Sequence, residues 1–218
     1  MLLPFLLLFL LIIPHHPFFI EYKTISYFVS SNSTLYGLII ENITNIYSND
    51  TVKFEFYLIN LNYSEYIGPM IEFNNLSSPT ILYYFPQVGS NIVQRGSLVF
   101  QLVGDKNGCY IYENVQHPVS TVSVVTYYYV NDSGIPSKIV FLQYGLNGLV
   151  SNNTYILYSS NLINSNEKIY FPSGLQKVSR AFSLNAFEHE VENIVFSVIL
   201  LGIPVLLLFS KKKYYNNS

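Results

Sequence analysis

Asp132-Ser133-Gly134 is the triplet type that carries the carboxylate of an aspartic protease. That chemistry needs two carboxylates sharing one proton, and the sequence has no second triplet. The flanking runs make the triplet a hairpin turn instead, because Asp, Ser and Gly tolerate tight-turn geometry. Cys109 and His117 are two residue types of a blue-copper centre, which takes two histidines, a cysteine and an axial methionine. His189 falls beside an apolar run and Met70 is the only internal methionine, so the set is not gathered by spacing. His15 and His16 are adjacent and read as spacer residues, and Glu188 and Glu190 as a solvated face. There is no G-x-S-x-G elbow, phosphate-binding glycine loop or C-x-x-C pair. No catalytic, cofactor or metal residue is assigned, and the chain reads as non-enzymatic.

The chemistry that is dense in the sequence is modification. Asn-x-Ser/Thr acceptors occur at Asn32, Asn42, Asn49, Asn62, Asn75, Asn131 and Asn152, none with proline in the middle. Asn216 also matches but lies in the C-terminal tail. Glycans at these sites require that the segments carrying them face an extracellular compartment.

Both chain ends point the same way. Ile194 to Ser210 reads IVFSVILLGIPVLLLFS without a charge and stops at Lys211, Lys212 and Lys213. That is near the lower limit for a membrane-crossing helix, and adding back to Val191 gives about 20 residues. Lysines after the span favour the cytoplasmic side. Leu2 to Ile13 is a shorter apolar run, the length of a signal-peptide core. The expected organisation is a signal peptide or signal anchor over 1–17, an extracellular β domain over 18–186, a juxtamembrane and transmembrane helix over 187–210, and a cytoplasmic tail over 211–218.

Composition supports a surface domain. Charged residues are 11% of the chain and the net charge is −2, while tyrosine reaches 20 copies. Without a basic patch outside the tail, nucleic acid is not an expected partner. A single cysteine, Cys109, rules out a disulfide within the chain. In a strand it reads as a small buried hydrophobe.

Strand patterns position these residues. Val52, Phe54, Phe56 and Leu58 alternate onto one face, and Leu35 to Ile40 and Thr80 to Phe85 are β-rich. Ser97 to Val103 and Cys109 to Val115 flank a glycine-rich loop over 104–108. Val119 to Val130 turns at 131–134 and returns as Ile135 to Tyr144. Further strands are expected at Thr154 to Ser159 and Lys168 to Phe171. Roughly ten strands with short turns predict an all-β ectodomain, either an antiparallel sandwich or an open curved barrel, followed by one transmembrane helix.

The short N-terminal MLLPFLLLFLLIIP, the Tyr/Asn/Ser-rich β region, the crowded acceptors and the final span with KKK together resemble the uncharacterised, C-terminally anchored surface proteins of thermoacidophilic archaea. The stretch Tyr127 to Lys138 is similar to a hairpin of lipoprotein carriers with curved, lipid-binding half-barrels. The first resemblance implies a structural or adhesive surface glycoprotein of the cell membrane, associated with surface-layer or other surface proteins. The second implies a membrane-anchored module that binds lipid or another apolar ligand. In hot acid carboxylates protonate and ion pairs fail, whereas Tyr, Asn and Ser keep their hydrogen bonds.

Overall fold

The computed structural model describes residues 18–47, 51–75, 85, 87–106 and 108–178. The first apolar run, the span and tail, and most of Thr80 to Phe85 lie outside them. No helix among the described residues is long and apolar enough to cross a membrane.

The described residues form eleven strands in one open sheet. They are β1 (Phe18–Phe28), β2 (Ser33–Ile46), β3 (Thr51–Asn60), β4 (Glu65–Asn75), β5 (Ile92–Arg95), β6 (Leu98–Lys106), β7 (Cys109–Val119), β8 (Val122–Asn131), β9 (Pro136–Gly145), β10 (Gly148–Ser160) and β11 (Gln176–Lys177). The order is β11-β4-β3-β2-β1-β10-β9-β8-β7-β6-β5. All neighbours are antiparallel except β11, which runs parallel to β4. Two hairpin meanders, β1–β4 and β5–β10, are thus sewn together where β1 pairs β10. The expected all-β class is present, as one sheet.

Alternation puts one residue in two on an inner face. Thr24 stands opposite Gly37 and Tyr155, and Tyr22 opposite Ile39. On β3 the expected face of Val52, Phe54, Phe56 and Leu58 is buried, as is its continuation Met70 on β4. On the other meander the inner face carries Phe100, Tyr112, Tyr128, Ile139 and Phe141, also buried. At Gly37 a β-carbon would stand 2.5 Å from the Ile59 carbonyl oxygen and 2.7 Å from Thr24 Oγ1, so only glycine lets β1, β2 and β3 close up there.

The inner face is buried because the sheet curls: the Arg95 guanidinium on β5 stands 5.0 Å over the Tyr128 ring on β8, three strand spacings away in the order, which would be about 14 Å in a flat sheet. Arg95 on the edge strand β5 acts on the phenol of Tyr22 on β1. Six strand spacings separate them in the order, which would be about 29 Å in a flat sheet. Glu41 on β2 likewise acts on Tyr128 on β8.

After β10 the chain crosses the outer face of β1–β4. Tyr170 N–H donates to Glu21 Oε2, Phe171 meets Tyr57 and Tyr66 edge-on at 5.8 and 5.0 Å, and Leu175 packs on Leu38, Ile40 and Ile59. Gln176 N–H then bonds Ser64 O and Val178 N–H bonds Tyr66 O. Residues 161–178 are a strap over this meander.

Several expected boundaries shift. The glycine-rich loop is shorter than expected, because β6 continues to Lys106 through Gly104 by a bulge opposite Ile111. β7 runs past Pro118 to Val119, so the turn into β8 falls at 120–121 and the long Val119 strand begins at Val122. Lys168 to Phe171 is strap rather than strand, since its contacts are side-chain packing and one bond to a carboxylate. Cys109 opens β7 half-exposed rather than buried, beside the glycine turn.

Candidate functional site

The acceptor asparagines separate into two groups. Asn32 sits in the β1–β2 turn, Asn62 in the β3–β4 turn and Asn131 at the β8–β9 turn, all exposed. Antiparallel order places Asn32 and Asn62 on one rim of the sheet and Asn131 and Asn75 on the other. In each turn the amide oxygen is the atom the fold uses. Asn32 Oδ1 accepts from Tyr27 Oη–H at 3.0 Å, Asn62 Oδ1 from Tyr36 N–H at 2.6 Å, and Asn131 Oδ1 from Ser133 N–H at 3.1 Å and from the Ser133 hydroxyl. The nitrogen, where a glycan attaches, takes no part in these bonds. Asn75 ends β4 exposed. Asn42 and Asn152 differ, because they lie mid-strand, half-buried, with neighbours paired on both sides. A sequence pattern cannot separate them from turn acceptors, since three residues do not encode position along a strand. Asn49 lies outside the described residues.

The catalytic look-alikes are not assembled. Asp132-Ser133-Gly134 is the β8–β9 turn, closed by Gly134 N–H to Asn131 O at 3.0 Å, with Gly134 at φ 77. Cys109 and His117 occupy opposite ends of β7, about 27 Å apart along an extended strand. Met70 is on β4, in the other meander, and His189 lies outside the described residues. Among the described residues no three His, Cys, Asp or Glu side chains come together as a metal site.

The structure gathers a cluster that the sequence did not announce. Arg95 on β5 packs on Tyr128 on β8 inside the curl, and Tyr22 on β1 and Glu41 on β2 lie within electrostatic reach of this pair. Arg95 and Glu41 are 0% exposed. The Arg95 guanidinium lies 5.0 Å over the Tyr128 ring and 5.6 Å from that of Phe85, within cation–π range. Phe85 in turn packs against Tyr112, Tyr128 and Phe100 at 4.4, 5.3 and 5.4 Å. Burial pushes the Tyr22 phenol well above its ordinary value, helped by the Glu41 charge and opposed by Arg95. Burial also raises Tyr128, against the pull of Arg95. Both phenols therefore stay neutral and act as hydrogen-bonding groups, not as bases or nucleophiles. Alternation in Ile92-Val93-Gln94-Arg95 was the available signal, since it places Arg95 on the face of the buried Val93.

No protein-family model matches the chain, and no curated protein matches its sequence.

Proposed function

We propose that the protein is a non-enzymatic, single-pass cell-surface membrane glycoprotein whose β domain is a structural or adhesive body held outside the cell. The observation that carries this is the packed inside of the curl. Ile20, Tyr22, Val93, Tyr112, Val130 and Ile139 are all 0% exposed and come from both meanders, so at these positions the interior is filled by the protein's own side chains. Turn acceptors at Asn32, Asn62 and Asn131 support an extracellular placement, with the 187–210 run as anchor and Lys211 to Lys213 inside.

A second reading, a membrane-anchored module for lipid or another apolar ligand, is favoured by the single open, curled sheet. Ligand sites are concavities of several hundred Å³ with apolar lining, and a filled core offers no such space without rearrangement. Titration of the full-length chain in detergent with a fluorescent fatty-acyl probe separates the two. The surface-protein reading expects no saturable binding. Saturable one-to-one binding that Ile139→Trp abolishes would replace it with the ligand reading.

A further inference from the structure

We propose that the strap over residues 161–178 is clasped to the sheet by the neutral, protonated carboxyl group of Glu21, and that it loosens as that proton is lost. Glu21 lies on the outer face of β1, under the strap, and is 0% exposed. Its Oε2 accepts the Tyr170 N–H at 3.1 Å. Its Oε1 is buried with no donor. On the neighbouring strand and the same face, Asn42 Oδ1 is a second buried acceptor with no donor. A proton on Glu21 resolves this arrangement chemically. The carbonyl oxygen still accepts from Tyr170, and the other oxygen becomes a donor. A carboxylate there would instead hold a full charge out of water on one neutral hydrogen bond.

The charged and titratable groups around it do little to hold the anion. Among the described residues Lys23, two residues along β1, is the one cation that acts on it, but its Nζ stands 3.9 Å over the Tyr158 ring. On β10, Ser159 opposite Glu21 donates to Glu167 Oε2 at 3.0 Å, which brings a second carboxylate to this side. On β2 the facing residue is Ile40. On β3, Tyr57 donates to Glu55 Oε2 at 3.1 Å. The strap adds Lys168 and Tyr170 beside Glu167. Desolvation therefore dominates and raises Glu21 to about 7, with the Tyr170 bond and Lys23 opposing.

The sign follows from proton linkage. With the strap lifted, Glu21 is solvated and titrates near the ordinary glutamate value of 4.5. Below that pH both states hold the proton and the clasp is at full strength. Between 4.5 and about 7 only the closed state keeps it, so closure weakens as pH rises, and above 7 it weakens no further. The opening equilibrium grows on the order of tenfold to a hundredfold across that window, the lower figure allowing for solvent reaching the strap's edge.

The chain contains no tryptophan, so Phe171→Trp places a single reporter between Tyr57 and Tyr66. In full-length protein in detergent, acrylamide quenching of that tryptophan is expected to rise from pH 4 to pH 8. Adding Glu21→Gln, which keeps the neutral shape, should flatten the profile at the low-quenching level, and Glu167→Gln should leave it unchanged. Hydrogen exchange of residues 161–178 in the unmutated chain, corrected for intrinsic rates, should show the same trend. A flat unmutated profile in both measurements, or a pH response that survives Glu21→Gln, overturns the proposal.

Discussion

The two meanders bury their inner faces alike but treat their outer faces differently. On β2 and β3, Leu38, Ile40 and Ile59 point outward and are buried, because Leu175 of the strap packs on them together with Tyr57 and Tyr66, the two rings that Phe171 meets edge-on. On β6 and β7, Val99, Val103 and Val115 point outward from the same kind of alternating strand and are about half exposed. The strands themselves do not decide this. The difference is made by one later segment, 161–178, which returns over the first meander and touches the second at β10, beside the joint, and not at β6 or β7. An outward valine or isoleucine in this fold becomes core only where the chain comes back to cover it.

The largest expected effect breaks the covered side. Ile40→Asp would bury a carboxyl group under the strap and should cost about 3 kcal/mol in denaturant unfolding. A loss below about 1 kcal/mol would mean that the strap is not seated. Phe171→Ala removes two edge-to-face contacts and should cost about 1–2 kcal/mol. Its exchange signature should be confined to residues 161–178, leaving β5–β9 amides protected. The pH response of the strap lies in the same range of effect and should vanish in Glu21→Gln. The smallest change is on the bare side. Val115→Asp should shift stability by less than about 0.5 kcal/mol. A loss comparable to that of Ile40→Asp would show that the outer face of β7 is covered after all.

Much of the inner face was legible in the sequence. Val52 to Leu58 and the Tyr-rich strand around Tyr128 alternate over enough residues for period two to show. The Val119 to Tyr144 hairpin, apolar on both faces, is internal to the sheet, since β8 and β9 each have two neighbours. Near the start of β8, Val124 is half-exposed, and the buried residues on its face are Thr126, Tyr128 and Val130. Position along a strand depends on how far the partners extend, which alternation does not report. β1, the joint between the meanders, was missed because Glu21 and Lys23 interrupt its apolar pattern. That interruption is the clasp. The strap was misjudged as a strand because Ile169-Tyr170-Phe171 has strand-like residues whose partners are side chains of other strands. The Arg95 cluster was illegible because it joins strands six and seven places apart, which only the curl brings together.

A double-mutant cycle between the two walls of the curl reports whether the sheet closes on itself. Arg95→Met and Glu41→Gln, alone and combined in the full-length chain, are compared by denaturant unfolding. Arg95 and Glu41 sit on strands seven places apart in the sheet order, about 33 Å in a flat sheet. In the curled sheet both act on the same two phenols, so the double variant should depart from the sum of the singles by about 1 kcal/mol or more. Additivity within about 0.5 kcal/mol would place the two charges in separate surroundings and contradict the curl.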